Sequence, residues 1–97
     1  MHKQYYVYIL SNQTNAVLYI GVTNNLKKRV WQHKEGSADS FTKDYKVNKL
    51  VYYDIHENPE SAIRREKQLK AWRRSWKEDL ISKNIREWKD LYADLLL

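Results

Sequence analysis

Between Tyr19 and His33 the chain passes from a strand-type pattern to a helix-type pattern, and this stretch limits what the rest can fold into. It reads Tyr19-Ile20-Gly21-Val22-Thr23-Asn24-Asn25-Leu26-Lys27-Lys28-Arg29-Val30-Trp31-Gln32-His33. Val17, Tyr19 and Gly21 share one face of a period-two strand, so a phenol stands beside a position with no side chain, where a backbone or a substrate can approach closely. Arg29 and His33 lie one turn apart on the helix that follows and flank its apolar pair, Leu26 and Val30. A phenol, a guanidinium and an imidazole therefore gather at the edge of the expected core.

The flanking segments supply the partners of that strand. Tyr5 to Leu10 is rich in aromatic and β-branched residues, and Ser11 to Ala16 is a polar turn segment, so the N-terminus reads as a hairpin. A turn centred between Gln13 and Thr14 places Tyr8 opposite Tyr19, with Tyr6 beside Tyr8 and the bare Gly21 next to the cluster. Leu50 to Ile55 is a third strand, apolar enough on both faces to lie at the centre of the sheet. Thr23 or Asn24 caps the first helix and Glu35-Gly36 ends it. Asn58-Pro59 opens the second helix, and Ser75-Trp76-Lys77-Glu78 reads as a capping box for a third. Trp88, Leu91, Tyr92 and Leu95 repeat at helical spacing and describe an amphipathic closing helix.

Length and composition narrow the function classes. Ninety-seven residues with 42% hydrophobic content and four Trp suffice for one domain with a single core, spanning 1–97. A formal charge of +6 favours polyanionic partners, with anionic membrane surfaces and plain solubility as the alternatives. The chain has no cysteine, which excludes disulfides, thiolate metal sites and cysteine nucleophiles. Neither a signal peptide nor an apolar run long enough to span a membrane is present, so a cytoplasmic location is expected.

Within the second helix, Ala62, Ile63, Glu66 and Leu69 form a buried-type stripe that contains a carboxylate. Glutamate is almost never buried unpaired. Glu66 either pairs with Arg29 or a nearby lysine, edges the stripe, or binds a metal; one carboxylate with waters and phosphate suits Mg²⁺. Ser37 to Lys46 is a polar loop carrying Phe41, Lys43 and Tyr45, a composition that can stack a base or touch a phosphate. Arg64, Arg65, Lys67, Lys70, Arg73, Arg74 and Lys77 spread round the later helices, most as solvated faces and a few facing DNA.

Taken together, Tyr6-Val7-Tyr8, Tyr19-Ile20-Gly21, Arg29 with His33, and then Glu66 resemble the GIY-YIG nuclease superfamily. The likeness is to its small single-domain bacterial members, related to the N-terminal catalytic domain of the excision-repair incision subunit. It extends to the Phe41-Thr42-Lys43-Asp44-Tyr45 loop, to Leu50-Val51-Tyr52-Tyr53 and to the segment from Asn84 to Leu91. The first signature departs from the family pattern, since Tyr6 stands where the family name has glycine. The resemblance implies an α+β fold, a three-stranded antiparallel sheet of the N-terminal hairpin and the third strand, flanked by helices. It implies hydrolysis of DNA phosphodiesters with one divalent ion, Mg²⁺ or Mn²⁺, in repair or recombination. By that analogy Glu66 holds the metal, Tyr8 activates water, His33 assists the proton transfer, Arg29 binds the scissile phosphate and Tyr19 orients water or phosphate. Gly21, Lys43, Tyr45 and Asn84 are the matching substrate-binding positions.

Two other classes remain open at the level of sequence. A nucleic-acid-binding module of the same fold needs only the basic charge, whereas retention of all five catalytic-type residues argues for an enzyme. A protein-interaction adaptor would use the Trp-rich C-terminal helices, although no obligate protein partner is evident.

Overall fold

The computed structural model describes residues 3–84 and 87–97, the side chain of Asn84 excepted. Three strands, β1 (Tyr5–Ser11), β2 (Leu18–Thr23) and β3 (Lys49–His56), form one antiparallel sheet. Around it lie α1 (Leu26–Glu35), α2 (Ser40–Asp44), α3 (Pro59–Ala71), α4 (Arg74–Asn84) and α5 (Tyr92–Leu95). The expected α+β class holds. The expected place of the third strand does not, because the order is β2-β1-β3 and β1 is central. An apolar strand needs cover on both faces, and that does not require a strand on both edges. The outer edge of β3 meets the C-terminal tail instead: Leu91 N donates to Leu50 O at 2.8 Å, and Asp90 Oδ1 accepts from Leu50 N at 3.1 Å.

The sheet separates two cores. Val7, Ile9, Ile20, Val51 and Tyr52 pack on one face with Ala62 and Leu69 of α3 and Ile81 of α4. Tyr8, Leu10 and Leu50 pack on the other with Leu26 and Val30 of α1, joined by Leu91, Tyr92 and Leu95 of the tail. A register shift opposite Ile9 and Leu10 makes Val51 a bulge residue, so Val51 and Tyr52 both face the first core. Each such fully buried aliphatic side chain contributes on the order of 1.5–3 kcal/mol.

The hairpin register is displaced by two residues from the expected one. Tyr8 faces Gly21, and Tyr19 faces Leu10. The cause lies in the loop, where Asn12 Oδ1 accepts from the N–H groups of Ala16 and Val17 while Asn15 takes a left-handed conformation at φ 63°. These bonds move the turn centre toward Asn15. An even displacement preserves the faces, so Tyr8 and Tyr19 still point to the same side.

Local signals set most helix ends. Asn25, one residue beyond the expected caps, accepts from Lys28 N, and Gly36 closes α1 at φ 77°. Asn58 accepts from Ser61 N at 2.8 Å, with Pro59 in the first turn of α3. Three expectations need correction. Ile63 is exposed, because the α3 face that meets the sheet runs through Ala62 and Leu69. Helix α4 starts at Arg74, which puts Ser75 inside the first turn, and Glu78 takes Arg74 Nε at 2.8 Å rather than closing a capping box. The tail is no continuous helix: Trp88 has φ 53° and packs in the α3/α4 core, while Leu91, Tyr92 and Leu95 pack in the other. No helix among the described residues is long and apolar enough to cross a membrane.

Candidate active site

Strands β1 and β2 place the first two phenols. The Tyr8 ring occupies the space left by Gly21, and the rings of Tyr8 and Tyr19 lie 6.4 Å apart. Tyr6 stays outside this group, packing edge-on against Tyr53 at 6.4 Å. From α1, His33 reaches over both phenols and is only 3% exposed. Its Nε2 lies 2.9 Å from the Tyr8 hydroxyl, its ring centroid 5.3 Å from that of Tyr19, and its Nδ1 3.0 Å from Thr42 Oγ1.

Thr42 decides how those protons are arranged. It is buried in α2, and its hydroxyl donates to the main-chain oxygen of Asp39 at 3.3 Å. Having spent its one proton there, the hydroxyl accepts from His33 Nδ1–H. His33 Nε2 is then the bare nitrogen, and the Tyr8 phenol donates to it. A directed row runs from Tyr8 through His33 and Thr42 to Asp39.

The charges around this row oppose one another. Burial pushes the Tyr8 phenol well above its ordinary value, reinforced by Tyr19, Asp39 and Glu66 and countered by Arg29. Tyr19 is also pushed up, by burial first and then by the Asp39 carboxylate beside it. Burial lowers His33, while Asp39 favours its protonated form and Arg29 disfavours it. Asp39 itself is held below the usual carboxylate range, chiefly by the backbone N–H of Thr42, which reaches its Oδ1 at 2.9 Å. Arg29, one turn before His33, is half-buried, and its guanidinium makes no hydrogen bond or ion pair with any described residue.

Glu66 stands on α3, which packs on the other face of the sheet from α1, and its charge weakly disfavours ionisation of both phenols. It pairs with Lys70 at 3.5 Å, the two side chains being 21% and 55% exposed, and it makes no bridge to Arg29. With Lys70 largely in solvent, an i,i+4 pair of this kind is worth only about 0.3–0.5 kcal/mol, so the carboxylate remains available to another cation. Among the described residues no group of three His, Asp or Glu side chains is placed to hold a metal. An ion held by Glu66 would have to keep most of its ligands as water or phosphate oxygens, as Mg²⁺ does.

The remaining expected positions divide. Gly21 is buried beneath Tyr8; Lys43 on α2 and Tyr45, its C-cap, are exposed where a loop was expected. Asn84 ends α4, and its side chain lies outside the described residues. Asp39 and Thr42 were not anticipated. The available signal was Asp39-Ser40-Phe41-Thr42, an N-cap aspartate whose side chain accepts from the amide three residues on.

Known proteins resemble the chain along most of its length. Residues 4–79 match the model of the GIY-YIG catalytic domain. A UPF0213 protein of Clostridium perfringens is 42% identical over 83 residues, covering 84% of this chain and 88% of that protein. A UPF0213 protein of Natronomonas pharaonis is 32% identical over 82 residues, covering 84% and 95%. The solution NMR structure of a UPF0213 protein from Bacillus halodurans aligns with a TM-score of 0.52 at 30% identity, over 81% of this chain and 83% of that one.

Proposed function

The chain belongs to the GIY-YIG catalytic domain family, a nuclease family, and from that premise we propose that it is a divalent-metal-dependent endonuclease that hydrolyses DNA phosphodiester bonds. The observation that carries this reading is the buried hydrogen bond from Tyr8 to His33, continued to Thr42, beside an unpaired Arg29.

Hydrolysis of a phosphodiester needs a proton taken from the attacking water. Tyr8 alone is a poor base, because its phenol is raised further by burial. The row offers a concerted route. The Tyr8 oxygen accepts the water proton as its own proton passes to His33 Nε2, while Nδ1–H stays anchored on Thr42. The resulting imidazolium is favoured by Asp39. Arg29 supplies charge to the non-bridging oxygens of the scissile phosphate, and Tyr19, its ring against that of His33, orients water or phosphate. Glu66 is the residue that would hold the ion, and the ion would supply charge neutralisation at the phosphate and the leaving oxygen. A place in DNA repair or recombination fits this chemistry.

The direct test incubates the purified protein with Mg²⁺ or Mn²⁺ and end-labelled DNA in single-stranded, duplex and branched forms. Cleavage of at least one form is expected. Binding without cleavage on every form would overturn the enzymatic reading.

A further inference from the structure

Phe41 and Tyr45 belong to neither core, although each is a large aromatic residue. They remain 43% and 57% exposed. Exposed aromatics are not unusual one at a time, but these two are organised. The Phe41 ring stacks on that of Tyr19 at 6.3 Å with 29° between planes, and Tyr45 lies 4.8 Å beyond Phe41. Three rings thus run outward from the site, beginning at one of its own tyrosines. Their carrier is fixed. Helix α2 is capped by Asp39 and tied to His33 through the buried Thr42, so the row of rings cannot swing away from the relay without disturbing it. Lys43 projects from the same helix, the stem of its side chain resting on the turn at Gly36.

We propose that the Tyr19–Phe41–Tyr45 row is a stacking subsite for unpaired bases next to the scissile phosphate, so that this protein selects single-stranded or locally unpaired DNA over intact duplex. The proposal rests on the nuclease reading above and names its substrate class. In a duplex each base is covered on both faces by its neighbours, and an aromatic side chain finds no free π-face to meet. Unpaired bases expose those faces, and stacking on aromatic side chains tolerates any sequence. Cations alone do not make this distinction, because both forms present phosphates to Arg29 and Lys43. The exposed edges of Phe41 and Tyr45 are what a duplex leaves unused.

The test is binding of the full chain without metal, measured by fluorescence anisotropy on three probes: an oligothymidylate, the same strand with every base replaced by an abasic site, and a blunt duplex of equal length. The base-bearing strand should bind more tightly than the abasic one by roughly 5- to 100-fold, about the range of one stacked base. Phe41→Ala/Tyr45→Ala should erase that margin while leaving duplex affinity within about twofold, since the phosphate contacts persist. Phe41→Leu/Tyr45→Leu keeps apolar bulk without π-faces and should behave in the same way, which separates stacking from any loss of packing. Equal affinity of the wild type for base-bearing and abasic strands would overturn the proposal, as would variants that weaken single-strand and duplex binding alike. The two readings fail separately. A stacking margin in a protein that cuts no DNA sinks the nuclease and leaves the subsite, whereas cleavage of duplex and single strand alike with no margin does the reverse.

Discussion

The Tyr8 ring lies across Gly21 so closely that a Cβ at position 21 would stand 2.5 Å from the phenolic oxygen and 2.6 Å from Cζ. Gly21 is therefore required for space, and the space is filled by the group proposed to take the water proton. The ring cannot yield cheaply, being 2% exposed and hydrogen-bonded to His33. Gly21→Ala should cost about 1–3 kcal/mol of stability, the range for overpacking a filled core. Cleavage should fall much further than the melting temperature suggests, because the Tyr8–His33 bond is displaced. A thermal melt beside a cleavage assay checks this, and an active Gly21→Ala protein of unchanged stability would refute it.

Thr42 should matter through its hydroxyl and not its size. Thr42→Val leaves His33 Nδ1–H buried without an acceptor, which costs about 1–3 kcal/mol. Loss of the anchor also frees the imidazole to adopt the other tautomer, with Nε2 protonated and unable to accept from Tyr8. Thr42→Ser restores the acceptor. The Val variant should cut DNA far more slowly at unchanged metal-free affinity, and the Ser variant should recover most of the rate. Equal losses in both would mean that Thr42 only packs.

The pH dependence follows from the two buried ends of the row. Burial lowers His33 in the folded state, so its contribution to stability is present above its ordinary value of about 6.5 and is lost as pH falls through the lower folded value. Tyr8 has the opposite sign. Its folded value is raised, so its contribution is complete below pH ~10 and is lost as pH rises beyond that. Urea melts of His33→Gln should show less acid destabilisation than wild type, and melts of Tyr8→Phe less alkaline destabilisation. Acid sensitivity unchanged in His33→Gln would contradict the burial argument.

Much of this arrangement is legible in the sequence where the cause is local. Gly36 ends α1, and Asn58 with Pro59 opens α3, because caps act over three or four residues. The shared face of Tyr8, Tyr19 and Gly21 is also legible, since strand periodicity survives an even displacement of register. The register itself is not, because the bonds of Asn12 to Ala16 and Val17 and the left-handed Asn15 set it. Strand order escapes for a different reason: β1 and β3 are both apolar on two faces, and only the closing contact of Leu50 with the tail marks β3 as the edge. The role of Thr42 depends on a hydroxyl meeting an imidazole nine residues away, which no periodicity encodes.

Arg29 should separate rate from affinity. Its side chain is partnered by no described residue, so removing its charge leaves no acid orphaned, and Arg29→Ala should fold normally. Its contact with phosphate strengthens as charge develops, so the cleavage rate should drop by roughly a hundredfold or more while affinity changes far less. Single-turnover kinetics with a parallel binding titration would show this. A loss confined to affinity would make Arg29 one basic contact among many.

The central claim is that a carboxylate from α3 serves a metal at a site built by β1, β2 and α1, and Glu66→Ala tests it most directly. Lys70, the only described partner of Glu66, is more than half exposed, so the substitution should leave the fold intact. Cleavage in Mg²⁺ or Mn²⁺ should be abolished, with DNA affinity measured in EDTA unchanged or slightly improved by the lost negative charge. A folded Glu66→Ala protein that cuts DNA at the wild-type rate would contradict the account, as would one that fails to fold.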